Sequence, residues 1–271
     1  MTPEVSIIIV NYNTGNLLYN CLKSIKANAG TGFEVIVADN NSGDGSISCC
    51  ADFWNDGRFR LLRLDRNYGF SRANNMGAAL ASGTILHFLN PDTELQQGID
   101  QDYAEALKHP DAVYVNPLVN RDGSMENDRM PLPVLRDIML WNMGSPKARY
   151  WYKGASVIIS SRNFRRLGGW CEDYFLFAED LDLFYRIMEQ GIPVREAGSV
   201  IFHLGGGSTS SLWKSLDREI MVQKSNRIFF RKYFSGREYL KSKLYYLFHN
   251  LVKHPSAVPS YIRAWYLSGK A

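Results

Sequence analysis

The chain is poor in the features that would place it at once. It has four cysteines in 271 residues: Cys21, Cys49, Cys50 and Cys171. They form no CxxC pair and no zinc-ligand spacing, and adjacent cysteines rarely bridge each other, so free thiols in a reducing cytoplasm are expected. Long apolar runs are missing too. The run VSIIIV at 5–10 is too short for a signal peptide or a membrane span, no basic stretch precedes it, and no later segment is longer. A protein of the cytoplasm, at most peripheral to the inner face of the cell membrane, is expected. No GxGxxG follows the first apolar run, which speaks against an NAD enzyme. There is no internal repeat and no low-complexity tract. No recognised motif accompanies the basic residues, so no nucleic-acid partner is expected.

What is present reads as a globular α/β chain. Hydrophobic residues make up 45% and charged residues 21%, enough for a sizeable core. The net charge of +4 is unevenly spread: from Ile201 onward there are 12 Lys/Arg against 3 Asp/Glu, about +9, leaving about −5 for the first 200 residues.

The first half alternates β-branched runs with helical periodicity. Strands are predicted at Val5–Val10, EVIVAD (34–39), FRLLRL (59–64) and TILHFL (84–89). Helices are predicted at about Asn16–Ala27, Ile47–Phe53 and Arg72–Ala81. Continuous apolar strands in a βαβαβαβ order point to a doubly wound parallel sheet, whose ligands sit at the carboxyl ends of the strands. The polar loops fall at those ends: Asn11–Thr14, Asp39–Ser46, Asp65–Ser71 and Asn90–Thr93. In the second half a helix is predicted at 97–108, strands at AVYVNPLV (112–119), GASVIISS (154–161) and VREAGSVIFHL (194–204), and a helix at DLDLFYRIMEQG (180–191) closed by Gly191. Residues 123–150 mix Pro, Gly and Met and read as a mobile loop region.

Several loops hold candidate ligands. Asn11, Tyr12 and Asn13 follow the first strand. Asp39 ends the second and can accept the N3–H of a uracil or thymine; equally, Asp39 and Asp44 can cap a helix or form Asx turns. In NYGFSRANN, Gly69 marks a turn, while Asn67, Asn74 and Asn75 suit either ribose and base contacts or local capping, asparagine being a poor helix former. Asp92 in HFLNPDTEL suits a metal ligand on a diphosphate, or a helix N-cap. Glu179 and Asp180 follow an aromatic stretch, YFLF, that lowers the local dielectric and raises a carboxyl pKa; they suit a general base, or the acidic N-terminus of an amphipathic helix. Asp182 is placed to pair with Arg186 at i+4. Trp170 suits either sugar stacking or the core.

Taken in order, VSIIIVNYN, VIVADNNSGDGS, NYGFSRANN, HFLNPDTEL, KGASVIISSRNFRRLGGW, FLFAEDLDLFYRI and HLGGGST resemble family 2 glycosyltransferases of the GT-A fold, in particular bacterial rhamnosyltransferase-like enzymes of O-antigen and surface polysaccharide synthesis. The resemblance covers roughly residues 3–210. It implies a Rossmann-like, mostly parallel sheet flanked by helices, and inverting, metal-dependent transfer from a nucleotide sugar to a glycan or lipid-diphosphate-linked acceptor. Rhamnose from dTDP-rhamnose is the preferred donor and a UDP-hexose the alternative. A non-catalytic nucleotide-sugar-binding subunit of an assembly complex is the further alternative. The family's DxD motif falls on Asn90-Pro91-Asp92: Asp92 matches the metal-ligating acid, and Asn90 replaces the first acid, keeping a hydrogen bond to ribose but no charge. Asp180 matches the catalytic base, with Glu179 on the acceptor or the loop. His203 matches a residue that ligates Mg²⁺ or Mn²⁺, and Gly205–Gly207 would let a loop fold over the diphosphate. The resemblance divides the chain into a catalytic domain, 1–212, with a nucleotide-binding half (1–95) and an acceptor-binding half (96–212), and a basic helical extension, 213–271.

In that extension Leu240, Leu244, Leu247 and Leu251 recur at i, i+4, i+7 and i+11, with Lys241, Lys243 and Lys253 off the stripe. An amphipathic basic helix suits an anionic membrane surface. It equally suits packing on the catalytic domain or on a second subunit in a homo-oligomer.

Overall fold

The computed structural model describes residues 3–30, 32–204 and 215–269. The first half follows the expected alternation: β1 (Val5–Asn11), α1 (Asn16–Asn28), β2 (Phe33–Asp39), α2 (Ser46–Cys49), β3 (Phe59–Arg63), α3 (Phe70–Ala79) and β4 (Ile85–Leu89). All seven residues of β1 and of β2 are buried, the state expected of parallel strands covered on both faces. On α1, Leu18, Cys21, Leu22 and Ile25 turn inward at helical spacing. The expected helix at 47–53 is instead two short pieces, α2 and a 3₁₀ turn at Ala51–Asn55. Helix α3 begins two residues before the expected start.

The second half continues with β5 (Thr93–Leu95), α4 (Ile99–Lys108), β6 (Val113–Val115), β7 (Leu118–Val119), β8 (Arg129–Pro131), α5 (Leu135–Asn142), β9 (Tyr150–Tyr152), β10 (Ser156–Ser160), α6 (Ser161–Leu167) and α7 (Glu179–Glu189). It closes with β11 (Val194–Glu196), β12 (Ile201–His203), α8 (Ser215–Tyr233), α9 (Gly236–Lys253) and α10 (Val258–Leu267). Three expectations are corrected. The 123–150 loop region contains β8 and α5 and leads into β9, which pairs antiparallel with β8. AVYVNPLV is two strands in different sheets, divided at Asn116-Pro117, because proline cannot donate to a ladder. The 194–204 strand is likewise two, β11 in the large sheet and β12 in a small one.

The large sheet runs β11-β6-β10-β4-β1-β2-β3. Pairings β1–β2, β1–β4, β2–β3 and β6–β11 are parallel, and β10 lies antiparallel between β4 and β6. The order 3-2-1-4 puts a topological switch at β1 and β4, so a crevice opens beyond Asn11 and Leu89. A small sheet, β5-β12-β7, brings the chain after β12 beside the chain after β4: the N–H of Leu204 bonds the carbonyl of Asp92 at 2.9 Å.

One side of the large sheet is packed by α1 and α4, the other by α6 and α7 with Phe88 and Trp170. An aromatic cluster of Tyr174, Tyr185, Phe229 and Phe230 seats α8 on α7. The hinge of that contact is Asp182, fully buried. It accepts from Arg186 Nε at 2.6 Å, as the i+4 spacing predicts, and also from the Tyr174 hydroxyl at 3.1 Å, Lys232 Nζ at 3.0 Å and the Tyr233 hydroxyl at 2.8 Å. All four cysteines are free. Among the described residues no helix is long and apolar enough to cross a membrane.

Candidate active site

The crevice at the strand ends holds a cavity of about 490 Å³. Its lining includes Val10 in β1 and Tyr12 and Thr14 after it, Asn40 after β2, and Asn90, Pro91 and Asp92 after β4. Asn67, Gly69 and Phe70 form one wall. The rest of the lining is Phe175, Leu176, Phe177, Glu179 and Asp180, joined by Lys153, Gly154, Ala155, Glu126, His203 and Arg218. Asp92 and Asp180, 88 positions apart in the sequence, therefore face one space.

The two adjacent acids of the lining are carried by α7. Phe177 and Ala178 both take left-handed φ, 67° and 62°, which is costly for residues with a Cβ and is sustained only where the surroundings enforce it. The kink delivers Glu179 and Asp180 to the first turn of α7, where the helix dipole favours negative charge. Asp180 is half-buried and accepts N–H bonds from Leu181 at 2.9 Å and Gly154 at 3.2 Å. A Cβ on Gly154 would stand 3.0 Å from that of Asp180, so only glycine lets the backbone N–H approach the carboxylate this closely. Burial pushes the Asp180 carboxyl above the usual range, against the pull of those two N–H groups and of Lys153. Glu179 is 8% exposed, and its Oε2 has no hydrogen-bond partner among the described residues. Burial first, and the Asp180 charge second, push its carboxyl higher still. Adjacent acids whose protons are held above the ordinary range are suited to exchanging a proton near neutral pH.

The cavity also contains a carboxylate–imidazole chain. Asp92 is 2% exposed and His203 8%, with 3.7 Å from His203 Nε2 to Asp92 Oδ1. The other ring nitrogen, Nδ1, meets Glu126 Oε2 at 2.5 Å, and Lys153 Nζ donates to Glu126 Oε1 at 2.5 Å. Burial raises the Glu126 carboxyl, but the His203 and Lys153 hydrogen bonds outweigh it and hold it below the usual range. Glu126 holds the ring through Nδ1 and leaves Nε2 as the nitrogen that faces Asp92, a support from a neighbouring carboxylate typical of metal-ligating histidines. No group of three or more His, Cys, Asp or Glu that could hold a metal occurs among the described residues. Asp92 and His203 alone fit a cation that draws its remaining ligands from substrate phosphates, as Mg²⁺ and Mn²⁺ commonly do. Asn90 lines the cavity beside them, its Oδ1 buried without a partner among the described residues.

The sequence profile of Glycosyl transferase family 2 matches residues 6–166, more than half of the chain. The chain belongs to glycosyl transferase family 2. Glycosyltransferase GlyG of Streptococcus pneumoniae is 28% identical over 129 residues, 47% of this chain and 43% of that one. The O-antigen biosynthesis protein RfbC of Myxococcus xanthus is 26% identical over 210 residues, 71% of this chain and 16% of that one. The chain thus spans less than half the length of either relative. Among solved structures, S. aureus TarS 1-349 in complex with UDP-GlcNAc superposes with a TM-score of 0.60 at 14% identity, covering 96% of this chain and 79% of that one. That likeness shows the GT-A fold.

Within this family 2 chain, eight of the site residues read from the sequence line the cavity: Tyr12, Asn67, Gly69, Asn90, Asp92, Glu179, Asp180 and His203. Four do not. Asn11 is fully buried and donates to Asp39 at 2.9 Å, Ser42 at 2.9 Å and Ser46 at 3.0 Å. Asp39 also accepts from Ser42, through its hydroxyl at 2.6 Å and its N–H at 3.3 Å, which is the Asx-turn geometry. Asn13 accepts from the Gly43 N–H at 2.8 Å. These three knit the loops after β1 and β2 together. Asn74 is 1% exposed and donates to the Phe70 carbonyl at 3.1 Å, inside α3. Its neighbour Asn75 bonds both the N–H and the carbonyl of Trp170 at 2.9 Å. Trp170 itself is core, 1% exposed and edge-on to Phe70 and Phe88.

Gly69 has a second task. At φ +82° a Cβ would fall 2.3 Å from the Phe175 carbonyl, which accepts the Phe70 N–H at 2.9 Å. The glycine thus docks the 67–70 loop on the strand of chain that carries the acids. Gly205–Gly207 lie outside the described residues. Glu126, Lys153 and Arg218 escaped sequence reasoning. Lys153 stands at the head of the KGASVIISS motif, and that position was the available signal. Glu126 lies in the segment read as a mobile loop and Arg218 in the extension, where single charges carry no pattern.

Proposed function

We propose that the chain is an inverting, metal-dependent glycosyltransferase of bacterial surface polysaccharide synthesis. The reading rests on one observation above all: Asp92, His203, Glu179 and Asp180 line one cavity. The cation held by Asp92 and His203, Mg²⁺ or Mn²⁺, would offset the charge growing on the departing nucleoside diphosphate. Asp180 takes the proton of an acceptor hydroxyl as that oxygen attacks the anomeric carbon. The bond from that carbon to the diphosphate breaks with its electron pair leaving on the diphosphate, and the centre inverts. Glu179 stays protonated beside Asp180, so that a single negative charge serves as the base. Lys153 and Arg218 also line the cavity and add positive potential for an anionic donor.

The preferred donor is dTDP-rhamnose, supported by the motif resemblance and by the O-antigen relative; a UDP-hexose is the alternative. The acceptor is a glycan or lipid-diphosphate-linked hydroxyl met at the inner face of the membrane. In this reading residues 1–95 bind the nucleotide, 96–212 the acceptor, and 213–271 form an appended basic helical unit. The deciding experiment is transfer and hydrolysis of dTDP- and UDP-sugars by the purified chain with Mn²⁺, Mg²⁺ or EDTA. Metal-dependent release of nucleoside diphosphate supports the proposal. Donor binding with no release under any metal condition assigns the chain to nucleotide-sugar binding instead.

A further inference from the structure

Helix α9 turns most of its apolar stripe outward. Leu240, Leu244, Phe248, Leu251 and Val252 are between 49% and 67% exposed. At 100° per residue they occupy an arc of roughly 120°. The face turned inward carries Ser242 and Lys243, the lysine only 3% exposed, donating to Gln223 Oε1 and lying 5.3 Å from the Tyr239 ring. A helix that hides a lysine and offers its leucines outward is not made to face water with that side.

We propose that the outer face of α9 docks on an anionic lipid bilayer. Arg237 and Lys241 lie within the apolar arc, and Lys253 is exposed at the end of the helix. The only acid on α9, Glu238, is bound by Lys241 at 2.7 Å. This is the composition of a helix lying in the membrane interface, apolar side chains in the acyl boundary and cations at the phosphates. The helix has 18 residues but is not apolar enough to cross. A second copy of the chain fits less well, since a two-fold contact through this face would set Arg237 and Lys241 against their own like charges. The surface deepens the proposed reaction by bringing the cavity to a lipid-linked acceptor; its existence does not depend on that reaction.

The test is sedimentation of the whole chain with phosphatidylcholine vesicles with and without phosphatidylglycerol. The chain binds the anionic vesicles and is partly released by salt. Leu244→Asp/Phe248→Asp/Leu251→Asp weakens partition by about tenfold or more, while thermal shift by dTDP or UDP stays as in the parent. Arg237→Glu/Lys241→Glu, which keeps the apolar face, loses the preference for anionic vesicles. Unchanged partition of the triple variant overturns the proposal. So does a parent chain that ignores vesicles but forms a dimer which the triple variant dissolves. Vesicle binding without any sugar transfer leaves this surface standing and removes only the proposed reaction.

Discussion

Replacing Asp180 with asparagine separates chemistry from architecture. The carboxylate accepts two N–H bonds, from Leu181 and Gly154. An amide offers one acceptor oxygen, so one of the two is lost, a cost of about 1 kcal/mol. Against that, the amide removes a half-buried charge that sits beside Glu179. Unfolding free energy therefore changes by no more than about 1 kcal/mol, and donor binding at Asp92 is retained. Turnover falls far more, because a positioned general base contributes about 10²–10⁴-fold, or about 2.7–5.5 kcal/mol of barrier. The parent chain gives a second readout of the proposed base, through pH. An aspartate with an ordinary value near 3.9 would be fully ionised by about pH 5, and turnover would be level above that. Burial holds the Asp180 carboxyl above its usual range, so kcat/KM climbs with pH through a raised midpoint and then levels. The assay is nucleoside diphosphate release across about pH 5 to 8, with urea unfolding of both proteins. Transfer by Asp180→Asn within about threefold of the parent, or a flat parent profile, refutes the assignment.

Glu179 makes a stability prediction of opposite sign from the usual carboxylate. Its folded pKa lies above the unfolded one, so between the two the folded state binds more protons and stability falls as pH rises. Glu179→Gln removes that slope, and an unchanged pH dependence of urea midpoints would contradict it. Asp182→Ala leaves Arg186 and Lys232 without their buried anion and costs about 3–5 kcal/mol; a loss under 1 kcal/mol in urea unfolding would show that α8 is not anchored there. Gly69→Ala places a methyl on the Phe175 carbonyl in a backbone region closed to alanine, costing roughly 1–3 kcal/mol from the dihedral alone, read as a lowered Tm and weaker donor binding. By calorimetry, Asp92→Ala abolishes the metal-dependent part of nucleotide binding. Glu126→Gln, which loosens the orientation of His203, weakens Mn²⁺ binding in the nucleotide complex about 10–100-fold. Equal Mn²⁺ affinity would place Glu126 outside the metal's support.

The first half of the chain was legible because both of its signals are local. A run such as VSIIIV is buried on both faces whatever surrounds it, and the polar residues that end each run must lie at the carboxyl edge of a parallel sheet. The acids of FLFAEDLDL were legible for a similar reason: the aromatic stretch before them predicts low dielectric, and Phe175 to Phe177 do line the cavity. Asparagines were harder. Asn11, Asn74 and Asn75 satisfy backbone and loop partners, and an amide has the same letters whether it binds sugar or chain. The segment 123–150 misled because β8 and β9 are three residues each and exist only through pairing with one another.

What the amino-acid order determined by itself is the alternation of elements, the loops at the strand ends and the two acidic motifs, since each depends on neighbours within one or two turns of chain. The tertiary structure alone decided that Asp92 and Asp180 share a cavity, that Glu126 reaches His203 from 77 positions away, and that α9 turns its leucines outward. Those outcomes depend on contacts between distant segments, and periodicity defines a stripe without saying which side of the helix the rest of the protein will cover.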